Sequence, residues 1–395
     1  MLVRRNRVIA DAIHRRAPQY QLRRSMLRAF GMLPVSRCRT GSTPRILFIR
    51  PDDFTDLLMT TPAIHAIRKA LPNAEIHALV GPWAAPAVEQ NDGLDAVITL
   101  NFPAFGGNRH RNPFAPYWFA WKVSRQLRKL QYTAAVIARP DHWWGAMVAF
   151  MAGIPIRVGN AHPDVKPFLT HAIHLNERHS VWQSVRLVEF WTGSLEADDL
   201  SLVFRFTDDD RSIVGRYLAE RGVKADDRIV CIHPSAGNWA REWTGAHWAV
   251  VADTLVDQLD AVVVISSSNQ NYLAQDIANR MDYQPHILPG DTAFSQLAAL
   301  FSRAAVVLGP DCGALHLATA VNAPTVMLFG PSDPEEFGPW GDPDSHVVLA
   351  SSIGCRPCRI LDWGHDRQEY HPCIREIPVG DVLEAARHVA SREIP

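Results

Sequence analysis

The chain has no long hydrophobic run and almost no net charge, and each absence excludes a class of protein. No apolar run in its 395 residues approaches the roughly 20 that a membrane-spanning helix needs. No secretory signal with a cleavage site is evident. Internal repeats and low-complexity tracts are also absent. With 47% hydrophobic and 21% charged residues, the chain can fill two cores, so the sequence predicts a cytoplasmic protein of two globular domains.

The net charge of −1 conceals a first segment that lacks lysine and has a single acidic residue. Residues 1–43 contain ten Arg and only Asp11 as an acid, and therefore carry about +9. We interpret this segment as a basic extension that is separable from the fold. Its apolar residues, spaced among the arginines, suit a helix lying on an anionic membrane face. A solvated extension without membrane contact is the alternative.

From residue 44 onward, short apolar runs alternate with amphipathic segments. Residues 46–49 and 75–80 are typical of buried strands, with a helical pattern over 61–71 between them. A second series of the same kind begins after Leu202. Such alternation predicts an α/β protein with two doubly wound, Rossmann-like domains, over residues 44–200 and 201–395.

One segment of the second series combines a strand, a polar turn and a helix start. Residues 306–330 read as strand, turn, helix and strand, with Asp311 and Gly313 in the turn and His316 on the helix. In open α/β sheets, ligands bind beyond the carboxyl ends of the strands, where a helix start offers N–H groups to phosphate. We therefore expect these residues to line a phosphate site. The alternative is that Asp311 caps the helix and His316 packs in the core.

Four stretches of the chain resemble, in order and spacing, the motifs of glycosyltransferase family 9, the ADP-heptose heptosyltransferases. They read RPDDFTDLLMTTPAIHAIR over residues 50–68, HPSAGNWAREW over 233–243, GPDCGALHLA over 309–318 and LFGPSDP over 328–334. The resemblance implies the GT-B architecture, in which two Rossmann-like domains face a central cleft. It also implies that the acceptor binds mainly to the first domain and the nucleotide mainly to the second.

The activity implied by this resemblance is metal-independent, inverting sugar transfer that requires no cofactor for catalysis. The expected donor is a nucleotide sugar, specifically ADP-heptose, and the expected acceptor is the lipopolysaccharide core, another glycan or lipid-linked acceptor, or a protein. No nucleic acid is expected as a partner. Residues 102–144, rich in Trp, Tyr and His, are expected to contact the acceptor.

The resemblance assigns the general base to Asp56, which follows the first strand. A carboxylate there can accept the proton of the acceptor hydroxyl. Asp52 and Asp53 are close enough in sequence to compete for the role, but Asp56 is the residue that matches the family motif. The alternative is that Asp56 serves only at the start of a helix.

The donor site departs from the family pattern at several positions. Arg241 stands where the family has Lys, and Cys312 replaces the usual Ser or Thr, which removes a hydroxyl but leaves the backbone contact. The loop 266–271 lacks the acid that, in many family members, suits adenosine ribose, although its hydroxyl and amide groups could bind ribose. The expected donor-binding residues are Ser235, Ala236, Gly237, Arg241, Ser268, Pro289, Asp311, Cys312, Gly313 and His316.

A cluster of metal-ligating residue types lies near the end of the chain, at 355–373. Cys355 and Cys358 form a C-x-x-C pair, and His371 and Cys373 follow about 14 residues later. The chain also resembles the autotransporter heptosyltransferases, which have a metal-bearing cysteine finger near this point. A structural Zn or Fe site, reduced thiols and a disulfide remain open, the last being disfavoured by a reducing cytosol.

Two other classes of function are weighed against the transferase. An NAD-dependent oxidoreductase would use the same kind of sheet, but no G-x-G-x-x-G follows either Ile49 or His233. A non-catalytic scaffold of the same fold is favoured by the departures at Arg241 and Cys312 and disfavoured by the retention of Asp56.

Overall fold

The computed structural model describes residues 19–107, 112, 114–267, 272–360 and 372–391. This part of the chain forms two compact units, one that runs to Val203 and one that begins at Phe204. Each unit has its own parallel sheet with its own hydrophobic core.

The first unit is built on a six-stranded parallel sheet with the order β3-β2-β1-β4-β5-β6. The central strand β1 pairs in parallel with β2 on one side and with β4 on the other. Parallel strands that are buried on both faces appear in the sequence as continuous apolar runs. The strands predicted from such runs at 46–49 and 75–80 are confirmed. The strands are β1 (Arg45–Arg50), β2 (Glu75–Val80), β3 (Ala96–Thr99), β4 (Ala134–Ile137), β5 (Ile156–Asn160) and β6 (His171–Ile173).

Helices cover this sheet, and one of them is buried over all but its two end residues. Helix α5 is apolar on nearly every side and packs beneath α1 and α4, through the ring pairs Phe30–Phe150 and Phe119–Trp144. The helices of the first unit are α1 (Gln19–Gly31), α2 (Phe54–Leu58), α3 (Thr61–Ala70), α4 (Ala115–Lys129), α5 (Trp143–Met151), α6 (Ser180–Arg186) and α7 (Glu189–Thr192).

Part of the predicted basic extension packs onto the first unit. Leu27 of α1 lies in the hydrophobic core, and Arg23 and Arg24 form ion pairs with Asp164 at 2.6 and 2.8 Å. At Gly31 the helix is so close to Pro167 that an added Cβ would lie 2.5 Å from the Pro167 carbonyl oxygen. Residues 19–43 are therefore not separable from this unit. Residues 1–18 lie outside the described part of the chain.

The second unit repeats the same topology. Its six-stranded parallel sheet has the order β12-β11-β10-β7-β8-β9, and β7 pairs in parallel with both β8 and β10. The strands are β7 (Arg228–Ile232), β8 (Ala261–Ile265), β9 (His286–Ile287), β10 (Val306–Pro310), β11 (Thr325–Phe329) and β12 (His346–Ala350). The helices are α8 (Asp208–Ala219), α9 (Gly245–Leu259), α10 (Tyr272–Ala278), α11 (Phe294–Phe301), α12 (Gly313–Ala320), α13 (Pro334–Phe337) and α14 (Val379–Ala390).

Both sheets have the doubly wound strand order, which places a ligand-binding position in each unit. The strand order reverses between β1 and β4 in the first unit and between β7 and β10 in the second. Ligands of open α/β sheets bind beyond the carboxyl ends of the strands at such switch points. Asp56 follows β1 and Asp311 follows β10, so both predicted site residues lie at a switch point. Among the described residues, no helix is long and apolar enough to cross a membrane.

Candidate active site

In the second unit, the Asp311 carboxylate lies buried at the end of β10 and holds three side chains around it. The Ser332 hydroxyl donates a hydrogen bond of 2.6 Å to Oδ2. His316 Nε2 lies 3.4 Å from Oδ1, and Arg241 Nη1 lies 3.5 Å from Oδ2. Burial alone would raise the pKa of Asp311, but His316, Arg241 and Ser332 together hold it below its usual range. The carboxylate is therefore ionised at neutral pH and organises its neighbours.

Arg241 links the two predicted loops of the donor site. Its Nη2 donates to the Ala236 carbonyl at 2.8 Å, and its Nη1 donates to the Asp311 carbonyl at 3.2 Å. Asn238 caps the short turn that carries Arg241, by accepting from Ala240 N at 2.9 Å. The guanidinium is thus fixed between the loop after β7 and the turn after β10, with part of its surface still exposed.

The loop after β7 requires glycine at one position. Gly237 has φ +66, a left-handed conformation that favours glycine, and nothing lies within 4 Å of an added Cβ. Its neighbour Ser235 is buried. The predicted residues Ser235, Ala236 and Gly237 therefore form one compact loop, to which Arg241 is bonded through Ala236.

The turn after β10 brings Cys312 and Gly313 to the start of α12. Cys312 occupies the N-cap position but makes no capping hydrogen bond with its side chain, in contrast to a Ser or Thr at such a position. Burial raises the pKa of Cys312 to about 11, so its thiol is protonated at neutral pH. His316, one turn further along, is fully buried, and its Nδ1 has no hydrogen-bond partner.

Strands β7 and β10 approach each other closely at this switch point. The His233 N–H donates to the Leu308 carbonyl at 2.8 Å, and an added Cβ at Gly309 would lie 2.5 Å from the His233 carbonyl oxygen. His233 Nδ1 lies 2.9 Å from the Ser266 hydroxyl, and burial lowers the pKa of His233 to about 4. His233 is therefore neutral and braces the loop after β8.

Pro289 is not joined to this group by any contact of the described residues. Pro289 is exposed after β9, the edge strand, and its carbonyl accepts from Thr292 N and Oγ1. Ser268 lies outside the described residues. The structure therefore unites residues 235–237, Arg241 and the turn at 311–316.

In the first unit, Asp56 lies on α2 at the end of a row of alternating acidic and basic side chains. Arg50 is almost fully buried, and its Nη2 donates to Asp56 Oδ1 at 2.8 Å while its Nε lies 2.7 Å from Asp52 Oδ2. Arg139, after β4, pairs with Asp52 and also with Asp141 at 2.6 Å. Neither arginine was predicted as a site residue.

These charges separate the roles of the three neighbouring acids. Asp52 is enclosed between Arg50 and Arg139, whereas Asp53 is exposed and makes no capping bond with its side chain. The Asp56 carboxylate keeps 26% of its surface exposed. Burial raises the pKa of Asp56, the charge of Arg50 opposes that shift and the charge of Asp52 adds to it. A raised pKa makes Asp56 a better proton acceptor than an ordinary aspartate.

One buried histidine borders this row of acidic and basic side chains. His142 packs edge-on against Phe102 and Phe105, with ring centroids 5.5 and 5.7 Å away, and neither of its ring nitrogens has a hydrogen-bond partner. Burial lowers the pKa of His142 to about 3, so its ring is neutral. It lies within the segment that was expected to contact the acceptor.

The cysteines near the end of the chain are buried thiols. No disulfide joins Cys355, Cys358 and Cys373 in this structure. Burial raises the pKa of Cys373 to about 12. Cys358 packs against Trp239, next to Arg241. Among the described residues no group of three or more potential ligands has the arrangement of a metal site. His371 lies outside them, so the predicted Zn or Fe site stays a prediction.

Two parallel sheets of the doubly wound order, one in each unit, define the GT-B class of fold. Polar side chains at the switch point of each sheet place a candidate base in one unit and a candidate anion site in the other. No Gly-rich dinucleotide motif stands at either position. This combination is typical of the nucleotide-sugar transferases.

Comparison with known proteins identifies the family. The model of "Glycosyltransferase family 9 (heptosyltransferase)" matches residues 120–361. Lipopolysaccharide heptosyltransferase 3 of Escherichia coli strain K12 is 25% identical over 354 residues, which cover 86% of this chain and 96% of that protein. This chain belongs to glycosyltransferase family 9 and is a glycosyltransferase.

Solved structures agree in fold. A family 9 glycosyl transferase from Veillonella parvula DSM 2008 superposes with a TM-score of 0.73 at 19% identity, covering 89% of this chain and 99% of that one. The E. coli heptosyltransferase WaaC with ADP has a TM-score of 0.60 at 20% identity, covering 79% and 95%.

Proposed function

We propose that this protein transfers heptose from ADP-heptose to the lipopolysaccharide core, with inversion at the anomeric carbon and Asp56 as the general base. The observation that carries the proposal is the Asp56 carboxylate at the end of β1, partly exposed, bonded to Arg50 and with a raised pKa. The similarity to lipopolysaccharide heptosyltransferase 3 supports the sugar and the acceptor. A cytoplasmic location follows from a nucleotide-sugar donor.

The reaction is a single displacement. The acceptor hydroxyl gives its proton to Asp56 as its oxygen attacks the anomeric carbon. The bond from that carbon to the diphosphate breaks on the opposite side, and ADP leaves with the electron pair. General-base assistance of this kind typically contributes a factor of about 10² to 10⁴.

The leaving diphosphate needs positive charge, and in this proposal Arg241 and the start of α12 supply it. Arg241 is held by the Ala236 and Asp311 carbonyls, so its charge is positioned before the donor binds. The first turn of α12 adds backbone N–H groups that have no partner within the helix. Asp311 orients Arg241 and His316 rather than contacting phosphate itself, since its carboxylate is buried among them. Cys312 contributes through its backbone.

Exchange of Asp56 for asparagine tests the base. Asp56→Asn keeps the shape and an oxygen that can accept from Arg50 but removes the proton acceptor. We expect kcat to fall by about 10² to 10⁴, with donor binding unchanged. Asp53→Asn is the matched control, because Asp53 is adjacent and exposed. Near-normal transfer by a folded Asp56→Asn variant would exclude Asp56 as the base.

The donor is tested by thermal protection. A ligand that binds only the native state raises the unfolding temperature by mass action. We expect protection by ADP and ADP-heptose, and weaker protection in Arg241→Gln. Protection by NAD alone would indicate an oxidoreductase, and protection by no nucleotide or nucleotide sugar would indicate a scaffold. Transfer to a peptide but not to a lipopolysaccharide core would contradict the proposed acceptor.

A further inference from the structure

The outward face of α4 carries aromatic side chains that lie in solvent. Phe114, Trp118 and Trp121 are 73%, 67% and 40% exposed. Their spacing of four and three residues places them on one side of a helix. The Trp118 and Trp121 rings stack with centroids 4.7 Å apart, and the Arg125 guanidinium lies 5.0 Å from the Trp121 ring. Soluble proteins rarely leave a contiguous apolar patch uncovered.

The opposite face of the same helix is firmly anchored. Ala120, Val123 and Leu127 are buried in the core of the first unit. Trp144 Nε1, on α5, donates to the Pro116 carbonyl at 2.8 Å. The exposed aromatics therefore belong to a well-packed helix.

Helix α1 also exposes apolar side chains, and it is tied to α4 near one end. Both α1 and α4 lie on α5, and Arg128 of α4 donates to Ser36 O and Oγ, just after α1, at 3.0 and 2.8 Å. Of the twelve large hydrophobic side chains that are exposed in the described residues, seven lie on these two helices or at their ends. They are Met26, Met32, Leu33, Phe114, Trp118, Trp121 and Leu130.

The charged side chains of the two segments that contain α1 and α4 are all basic. Neither 19–43 nor 114–130 contains Asp or Glu, although the chain has 41 acidic residues in total. The basic residues of the two segments are Arg23, Arg24, Arg28, Arg37, Arg39, Lys122, Arg125, Arg128 and Lys129. Among these basic residues, the ion pairs of the described part of the chain join Arg23 and Arg24 to Asp164. A near-neutral protein thus has two basic segments that both expose apolar side chains.

We propose that α1 and the aromatic face of α4 form a docking surface for an anionic lipid bilayer. Tryptophan favours the boundary between headgroups and acyl chains, and arginine and lysine are attracted by anionic headgroups. An acidic protein surface would satisfy the charges but would not need Trp118 and Trp121 side by side in water. The inference rests on the exposure of these side chains and on the charge of the two segments, so it does not require the proposed reaction.

Vesicle flotation of the full chain tests the docking surface. We expect the parent to float with vesicles of phosphatidylcholine and phosphatidylglycerol, and not with phosphatidylcholine alone. Trp118→Ser with Trp121→Ser is expected to lower partition by about tenfold or more, because two apolar rings no longer leave water. Phe190→Ser is the matched control, an exposed aromatic of the same unit, and should float like the parent.

Three outcomes would overturn the proposal. They are equal flotation of the double variant and the parent, equal binding to neutral and anionic vesicles, and loss of a parent dimer in the double variant without any vesicle binding. The last would indicate a second copy of the chain as the occupant. Thermal protection by ADP should be unchanged in the double variant, because the predicted donor-binding residues belong to the second unit, and this readout separates the inference from the proposed reaction.

Discussion

Acidification should destabilise the first unit through His142, by an amount that its burial sets. The pKa of His142 is lowered from 6.5 to about 3 by burial, and neither ring nitrogen has a partner. The unfolded chain takes up a proton near the ordinary value, whereas the folded unit keeps the ring neutral. The stability contributed by His142 is therefore complete above the ordinary pKa and is lost as the pH falls towards about 3.

The size of this loss of stability follows from the linkage between protonation of His142 and folding. Each pH unit below the ordinary pKa costs about 1.4 kcal/mol per buried neutral histidine. Between about pH 7.5 and about pH 5.5, His142 alone should therefore lower the free energy of unfolding of the first unit by about 1.4 kcal/mol.

A variant isolates this contribution. His142→Leu replaces the ring with an apolar residue of similar size and removes the titration, while every other histidine remains. The free energy of unfolding is measured at both pH values by urea titration, with protection of β1 and β4 from pulsed hydrogen exchange as the readout for this unit. We expect the variant to lose about 1.4 kcal/mol less than the parent on acidification. An equal loss in both proteins would show that the folded unit accommodates the protonated ring.

Three further predictions concern packing and the cysteines. Leu27→Ala should destabilise the first unit by about 2 to 5 kcal/mol in urea unfolding, whereas the exposed Met26→Ala should have little effect; equal effects would contradict the packing of α1. Gly309→Ala should cost about 1 to 3 kcal/mol and weaken nucleotide protection, because its Cβ would meet the neighbouring strand, whereas Gly380→Ala meets no atom and serves as the control. Bound Zn or Fe in chain purified with intact thiols, lost in Cys358→Ser, would support the metal prediction, and a metal-free parent would contradict it.

Local sequence patterns were sufficient to predict helices and strands and to place two candidate site residues at the ends of strands. A buried strand followed by a polar turn and a helix is a contiguous pattern, so β10, the turn at Asp311 and α12 could be predicted from residues 306–330. The same holds for β1 and Asp56. Two doubly wound domains followed from repetition of that pattern, and the structure and its relatives confirm them.

The surroundings of those residues depend on contacts between distant parts of the chain. Asp52 meets Arg139 across 87 positions, and Arg241 meets Asp311 across 70. No local pattern indicates which of many arginines lies beside a given carboxylate. The interpretation of residues 1–43 as a separable extension missed the packing of α1 for the same reason, because the partner of Arg23 and Arg24 lies about 140 positions away.

The sequence by itself determined the order of strands and helices, the doubly wound class of fold and the position of Asp56 and Asp311 at strand ends, because period and turn chemistry act over a few residues. Only the tertiary structure decided that Asp311 organises Arg241, that Asp52 is enclosed by two arginines and that α1 and α4 both pack on α5. Those relations arise from packing, which joins residues far apart in the chain and sets the burial and the charge around each one.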